Sequence, residues 1–176
     1  MKKLAVAAAV SIGVALFACA SVPDENRITP IIQPDFQQFD QGYVSYFLER
    51  RCGTLDCHGQ AGRPLRIFGR YGLRLLNDGG LTPVTGDTSE SERAANYRAV
   101  VGLEPEEMSR VIAGEDSPDQ LLLILKPIGD EQDSKGVRHK GGSVIGRGDQ
   151  LGYRCLTTWL RRAVDADACH TAADRY

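Results

Sequence analysis

A chain of 176 residues leaves room for one domain once a leader is removed. Loss of Lys2 and Lys3 with that leader takes the basic count from 21 to 19 against 23 acidic residues. The mature chain then carries a net charge of −4, which does not suit nucleic acid.

The N-terminus has a short basic start, then an apolar run over residues 4–17 broken only by Ser11. A bilayer span needs about 20 residues, so this run reads as an export signal. It ends in Leu16, Phe17, Ala18 and Cys19, a pattern similar to the lipobox of bacterial lipoproteins, in which the cysteine after the cut carries lipid. Phe17 is bulkier than that box usually holds. The expectation is a signal peptide over 1–18 and lipidation at Cys19; the alternative is an ordinary cleavage near Ala18 or Ala20. Ala20 and Ser21 follow with no Asp, which by resemblance to bacterial sorting favours the outer membrane. Residues 21–36 contain three prolines and little periodicity and read as a tether. The expected organisation is a tether over 19–40 and a folded domain over 41–176.

The first predicted helix covers 41–50, with Tyr43, Tyr46 and Phe47 on one face and Phe39 extending it. It runs into CGTLDCHG at residues 52–59. Two cysteines leading into a histidine are the local pattern of covalent haem attachment: each thiol adds to a vinyl group, and the adjacent imidazole becomes an axial ligand. The usual spacing is C-x-x-C-H, and here four residues separate Cys52 from Cys57. Residues 53–56 would therefore have to loop out, helped by the backbone freedom of Gly53.

Arg63, Arg66, Arg70 and Arg74 would share one face of a following helix, either as partners for haem propionates or as a solvated basic face. Gly69 and Gly72 weaken that helix. Ser89 and Glu92 form a capping box opening a helix that runs to Val101 and stops at Gly102. Pro105 opens another, ended by Gly114. Ser117 and Pro118 introduce a short helix over 119–124, closed by Lys126 and Pro127, and 130–138 reads as a loop. Asp149 is the expected N-cap of the last helix, whose stripe is Leu151, Cys155, Leu156, Trp159, Leu160 and Ala163. No alternation of period two and no internal repeat occurs, so the fold is expected to be mainly α.

Taken together these segments resemble the cytochrome c-like family, and more narrowly its periplasmic lipoprotein-type domains. The resemblance rests on residues 47–52 leading into C…CHG, on the run 121–127, on His139 followed by Gly141 and Gly142, and on the terminal aromatic helix; it covers about residues 41–163. It implies a single domain of short helices and long loops around one haem c, with thioethers at Cys52 and Cys57 and His58 as proximal ligand. A buried porphyrin would supply apolar volume to a chain with only 7% aromatic residues. His139 is the expected second ligand, ahead of Met108, an open or water-bound iron, and His170. Bis-histidine ligation favours electron transfer over catalysis, with redox proteins of the cell envelope as partners. Two other readings stay open: a haem-free domain with a Cys52–Cys57 disulfide serving in envelope binding or assembly, and a zinc site of Cys52, Cys57 and His58. Lipidation of Cys19 leaves Cys155 and Cys169, expected to pair because an exported chain meets an oxidising compartment. No nucleophile motif, phosphate loop or carboxylate pair marks an enzyme, and Asp56 reads as a loop acid.

Overall fold

A computed structural model describes residues 30–76, 83, 85–129, 137–146 and 150–175. The signal segment, Cys19 and Asp149 lie outside the described residues, as does most of 130–138. The folded unit begins at Ile31. Among the described residues there are seven α-helices and no strand, only isolated bridges between Phe68 and Leu73 and between Leu76 and Pro83, so the fold is mainly α. None of these helices is long and apolar enough to cross a membrane.

The chain enters the fold earlier than the expected tether over 19–40 allows. Helix α1 (Phe36–Gln41) starts at Asp35, whose carboxylate accepts from the Gln38 N–H at 2.6 Å, and it buries Phe39. Phe39 packs on Trp159 at 5.3 Å and on Tyr97 at 5.4 Å between ring centroids, and Phe36 meets Tyr97 at 5.2 Å. Aromatic pairs of this kind contribute about 0.5–1.5 kcal/mol each beyond area burial. Apolar contact therefore orders residues that composition alone assigns to a tether. Helix α2 (Val44–Arg51) follows after Tyr43, which takes φ 60° to turn the chain between the two helices. The single expected helix over 41–50 is thus two, broken at Gly42 and Tyr43.

The expected helix carrying four arginines does not form. Residues 60–76 are irregular, and the side chain of buried Asn96 holds them: it accepts from the Phe68 N–H at 2.6 Å and donates to the Phe68 carbonyl at 2.8 Å. Arg74 makes a two-pronged pair with Glu92 at 2.8 and 2.9 Å. Burial opposes ionisation of Glu92, but Arg74 and the N–H groups of Ser89 and Leu75 outweigh it and lower its pKa.

Helix α3 (Glu90–Val101) has the expected capping box and ends at Gly102. Helix α4 (Pro105–Ala113) begins with Pro105 and ends at Gly114. The expected helix over 119–124 is instead a 3-10 turn, Pro118–Gln120, followed by helix α5 (Leu122–Ile128). Glu104 accepts the first N–H of α5, from Leu122, at 2.6 Å. Pro127 lies inside α5 rather than closing it. The helix stops two residues later at Gly129.

Helix α6 (Leu151–Leu160) buries Cys155, Leu156, Trp159 and Leu160, as the stripe predicts; Ala163 falls beyond its end and is exposed. Helix α7 (Ala166–Asp174) folds back, tied to α6 by a Cys155–Cys169 disulfide. Helices α2, α6 and α7 pack mutually, and α2 emerges from them carrying Cys52 at its C-terminus.

Candidate functional site

The Cys52 and Gly53 N–H groups both bond to the Leu48 carbonyl at 2.8 Å, ending α2 at the first cysteine. Within the loop, His58 N–H bonds back to the Cys52 carbonyl at 2.7 Å, and Cys57 N–H to the Thr54 carbonyl at 3.0 Å. In an α-helix an N–H reaches the carbonyl four residues back, which is the separation of histidine and first cysteine in C-x-x-C-H. Here the same closure spans two more residues. The surplus is pushed outward: Leu55 is 61% exposed and Asp56 is exposed.

Gly53 serves this turn by close approach and not by an unusual angle. A Cβ there would stand 2.8 Å from the Glu49 carbonyl oxygen and 2.9 Å from Ile67, while one on Gly59 or Gly72 would collide with the Gly53 carbonyl. Its φ is not positive, so the expected reason for Gly53 is corrected.

Cys52 and Cys57 are free thiols, so the Cys52–Cys57 disulfide of the alternative reading is not formed. Although Cys52 keeps some surface exposed, burial pushes its thiol up to about 12, with the Cys57 sulfur adding to the shift and Arg51 opposing it. It stays protonated at neutral pH and is not a reactive thiolate.

The His58 carbonyl accepts from Ile67 N–H, and His58 Nδ1 lies 3.0 Å from the Leu65 carbonyl. A carbonyl can only accept, so Nδ1 carries the proton and the neutral ring presents its lone pair at Nε2. Burial lowers the His58 pKa and keeps the ring in that neutral form; the Leu65 bond opposes this, and His139, Arg63 and Lys126 reinforce it.

His139 reaches the same place from the far side of the fold. Its Nδ1 lies 2.9 Å from the Gly142 carbonyl, which requires the same tautomer, and Gly142 N–H closes the turn onto the His139 carbonyl at 3.0 Å. The ring rests against Gly141, where a Cβ would approach Cε1 to 3.1 Å. The His58 and His139 ring centroids are 6.0 Å apart and the planes 14° from parallel. Donation of the other ring nitrogen to a main-chain carbonyl is the usual support of a metal-bound imidazole. Each ring is thus held through Nδ1 by the main chain, and the two stack as a near-parallel pair.

The other candidates stand apart. Met108 is buried in the apolar core that also holds Val111 and Ile112. His170 sits on α7 among Tyr43, Tyr46 and Asp174. No group of three or more His, Cys, Asp or Glu that could hold a metal occurs among the described residues, so Cys52, Cys57 and His58 do not form a zinc cage. Of the four arginines, Arg70 pairs with Asp87 at 3.3 Å on the surface and Arg74 pairs with Glu92. A cavity of about 580 Å³ lies next to the site, lined by Phe47, Arg51, Ile145 and Leu151 among others; neither cysteine nor either histidine of the site lines it.

Sequence reasoning missed the groups that orient the two histidines. The Leu65 and Gly142 carbonyls leave no side-chain signal. Asn96, which holds Phe68 beside the strand of chain from His58, looks like any polar helical residue. No family model matches the chain, and no curated protein and no solved structure matches it.

Proposed function

We propose that this protein is a membrane-anchored, c-type cytochrome-like electron carrier with one covalent haem. The observation that carries the reading is the His58–His139 pair: 6.0 Å apart, nearly parallel, each with Nδ1 bonded to a carbonyl and Nε2 left as the basic nitrogen. Supporting it, the closure between His58 N–H and the Cys52 carbonyl brings the two ends of the long spacer together, as one helical turn would in the shorter motif.

A haem c supplies a one-electron couple. This chain's residues do the rest. Cys52 and Cys57 provide the two thiols, held on either side of a turn whose surplus residues face water. His58 and His139 would supply the two imidazole ligands, which suits electron transfer over catalysis. Two imidazoles without a thioether favour a low potential. The partners are redox proteins of the cell envelope, and Cys19 carries the lipid that holds the domain at the outer membrane.

The test is expression in a host with haem-attachment machinery, followed by a haem-stained denaturing gel of membrane and soluble fractions. Wild type should stain in the membrane fraction. Cys52→Ala with Cys57→Ala should not stain, and Cys19→Ala should lose the membrane-bound band. A colourless wild-type protein rejects the haem, and a processed Cys19→Ala protein still in the membrane rejects the anchor.

A further inference from the structure

The last four carbonyls of a helix lack partners within it. At the end of α5 one of them, Pro127, is used by a distant loop: Val144 N–H bonds to it at 2.7 Å and Ile145 N–H at 3.0 Å. The next turn of chain is Gly129, the C-cap of α5, at φ 73°. A Cβ on Gly129 would lie 2.5 Å from Ser143 N, 2.6 Å from Ser143 Cα and 2.8 Å from Gly142 C. These are main-chain atoms and cannot swing aside. Gly142 is the residue whose carbonyl holds His139 Nδ1 and whose N–H closes on the His139 carbonyl. Buried Ile145 fastens the far end of the same segment in the core.

We infer that Gly129 is the positioning residue for His139: its missing side chain lets the backbone at 142–143 seat on the end of α5, and that seat sets the spacing between the His139 and His58 rings. The inference deepens the haem reading, but it concerns where the imidazole is held and can be read without haem.

Two glycines provide matched controls. Gly114 and Gly86 both have φ 80°, yet a Cβ on either meets nothing within 4 Å. Alanine at Gly114 or Gly86 therefore carries the left-handed strain without the collision, whereas Gly129→Ala and Gly129→Asn carry the collision, Asn with less strain.

The experiment has two readouts on the full chain. In solution NMR, wild type should show ring-to-ring cross-peaks between His58 and His139 in protein without haem, or low-spin ferric spectra in haem-loaded protein. Gly129→Ala and Gly129→Asn should abolish the cross-peaks, turn the haem-loaded ferric spectrum high-spin, and regain the low-spin form on addition of imidazole. Gly114→Ala should do none of these. Retention of the wild-type signals in both Gly129 variants overturns the inference. A wild-type protein that never takes up haem rejects the function proposed above, while the NMR arm still decides this one. Should the Gly129 variants not fold, hydrogen exchange in wild type decides. Val144 and Ile145 amides should exchange at least tenfold more slowly than Lys140 and Gly141, and equal rates reject the seat.

Discussion

His58 and His139 hold their rings 6.0 Å apart and 14° from parallel, and each is pinned through Nδ1 to a main-chain carbonyl, Leu65 on one side and Gly142 on the other. Neither pin uses a side chain, so the spacing depends on two loops keeping their course: residues 58–68, fastened by Asn96, and residues 139–145, fastened by the end of α5.

On the proposed haem reading, replacement of His139 should change the iron spectrum and replacement of Met108 should not. In haem-loaded protein, His139→Ala is expected to convert a low-spin ferric spectrum to a high-spin or water-ligated one. Met108→Leu, a core change of similar volume, is expected to leave the spectrum unchanged and to cost under about 1.5 kcal/mol of stability. A thioether charge-transfer band that disappears in Met108→Leu would reverse the assignment.

Asn96→Ala removes both hydrogen bonds to Phe68 and leaves a main-chain donor and acceptor unpaired in a half-buried segment. The expected loss is about 2–4 kcal/mol in urea titration. The Phe68 and Ile67 amides should also lose protection from exchange, because Ile67 N–H bonds to the His58 carbonyl. An unchanged midpoint would show that the chain at 65–68 is held by other contacts.

The Cys155–Cys169 bridge joins residues 14 apart in sequence. A loop of this size stabilises by about 3 kcal/mol in the chain-entropy account. Mutation of both cysteines to alanine should lower stability by about that amount and expose α7 first, seen as early proteolysis after residue 163. A variant as stable and as resistant as wild type would contradict the anchoring role of the bridge.

Glu49 is buried beneath Gly69 and accepts hydrogen bonds from Ser45 at 2.7 Å and Thr88 at 2.6 Å. Burial raises its pKa above the ordinary 4.5, with Thr88, Ser45 and Arg93 opposing and Glu92 adding. A folded pKa above the unfolded one means that the folded state binds the extra proton, so its contribution is complete below pH 4.5 and is lost as pH rises through the folded value. Glu49→Gln should therefore gain stability relative to wild type on going from pH 4 to pH 7. Parallel pH profiles of the urea midpoint would refute the assignment.

Local signals in the sequence determined the parts of this fold that depend on near neighbours. Ser89 with Glu92, Pro105, Gly102 and Gly114 mark helix ends because caps act within one turn of chain. The spacing of Cys155, Leu156, Trp159 and Leu160 marks a buried stripe because side chains three and four apart share a helical face. The cysteine and histidine pattern at 52–58 named its own candidates.

Only the tertiary structure decided what distant segments do to one another. Phe39 leaves the expected tether because Trp159 and Tyr97 offer it a dry surface. Arg74 leaves the expected basic face because Glu92 is buried and holds it. His139 stands beside His58 in a loop whose Val144 and Ile145 N–H groups bond to the Pro127 carbonyl at the end of α5. These outcomes turn on burial and on main-chain groups whose partners lie far away along the chain, and neither leaves a mark in the local order of residues.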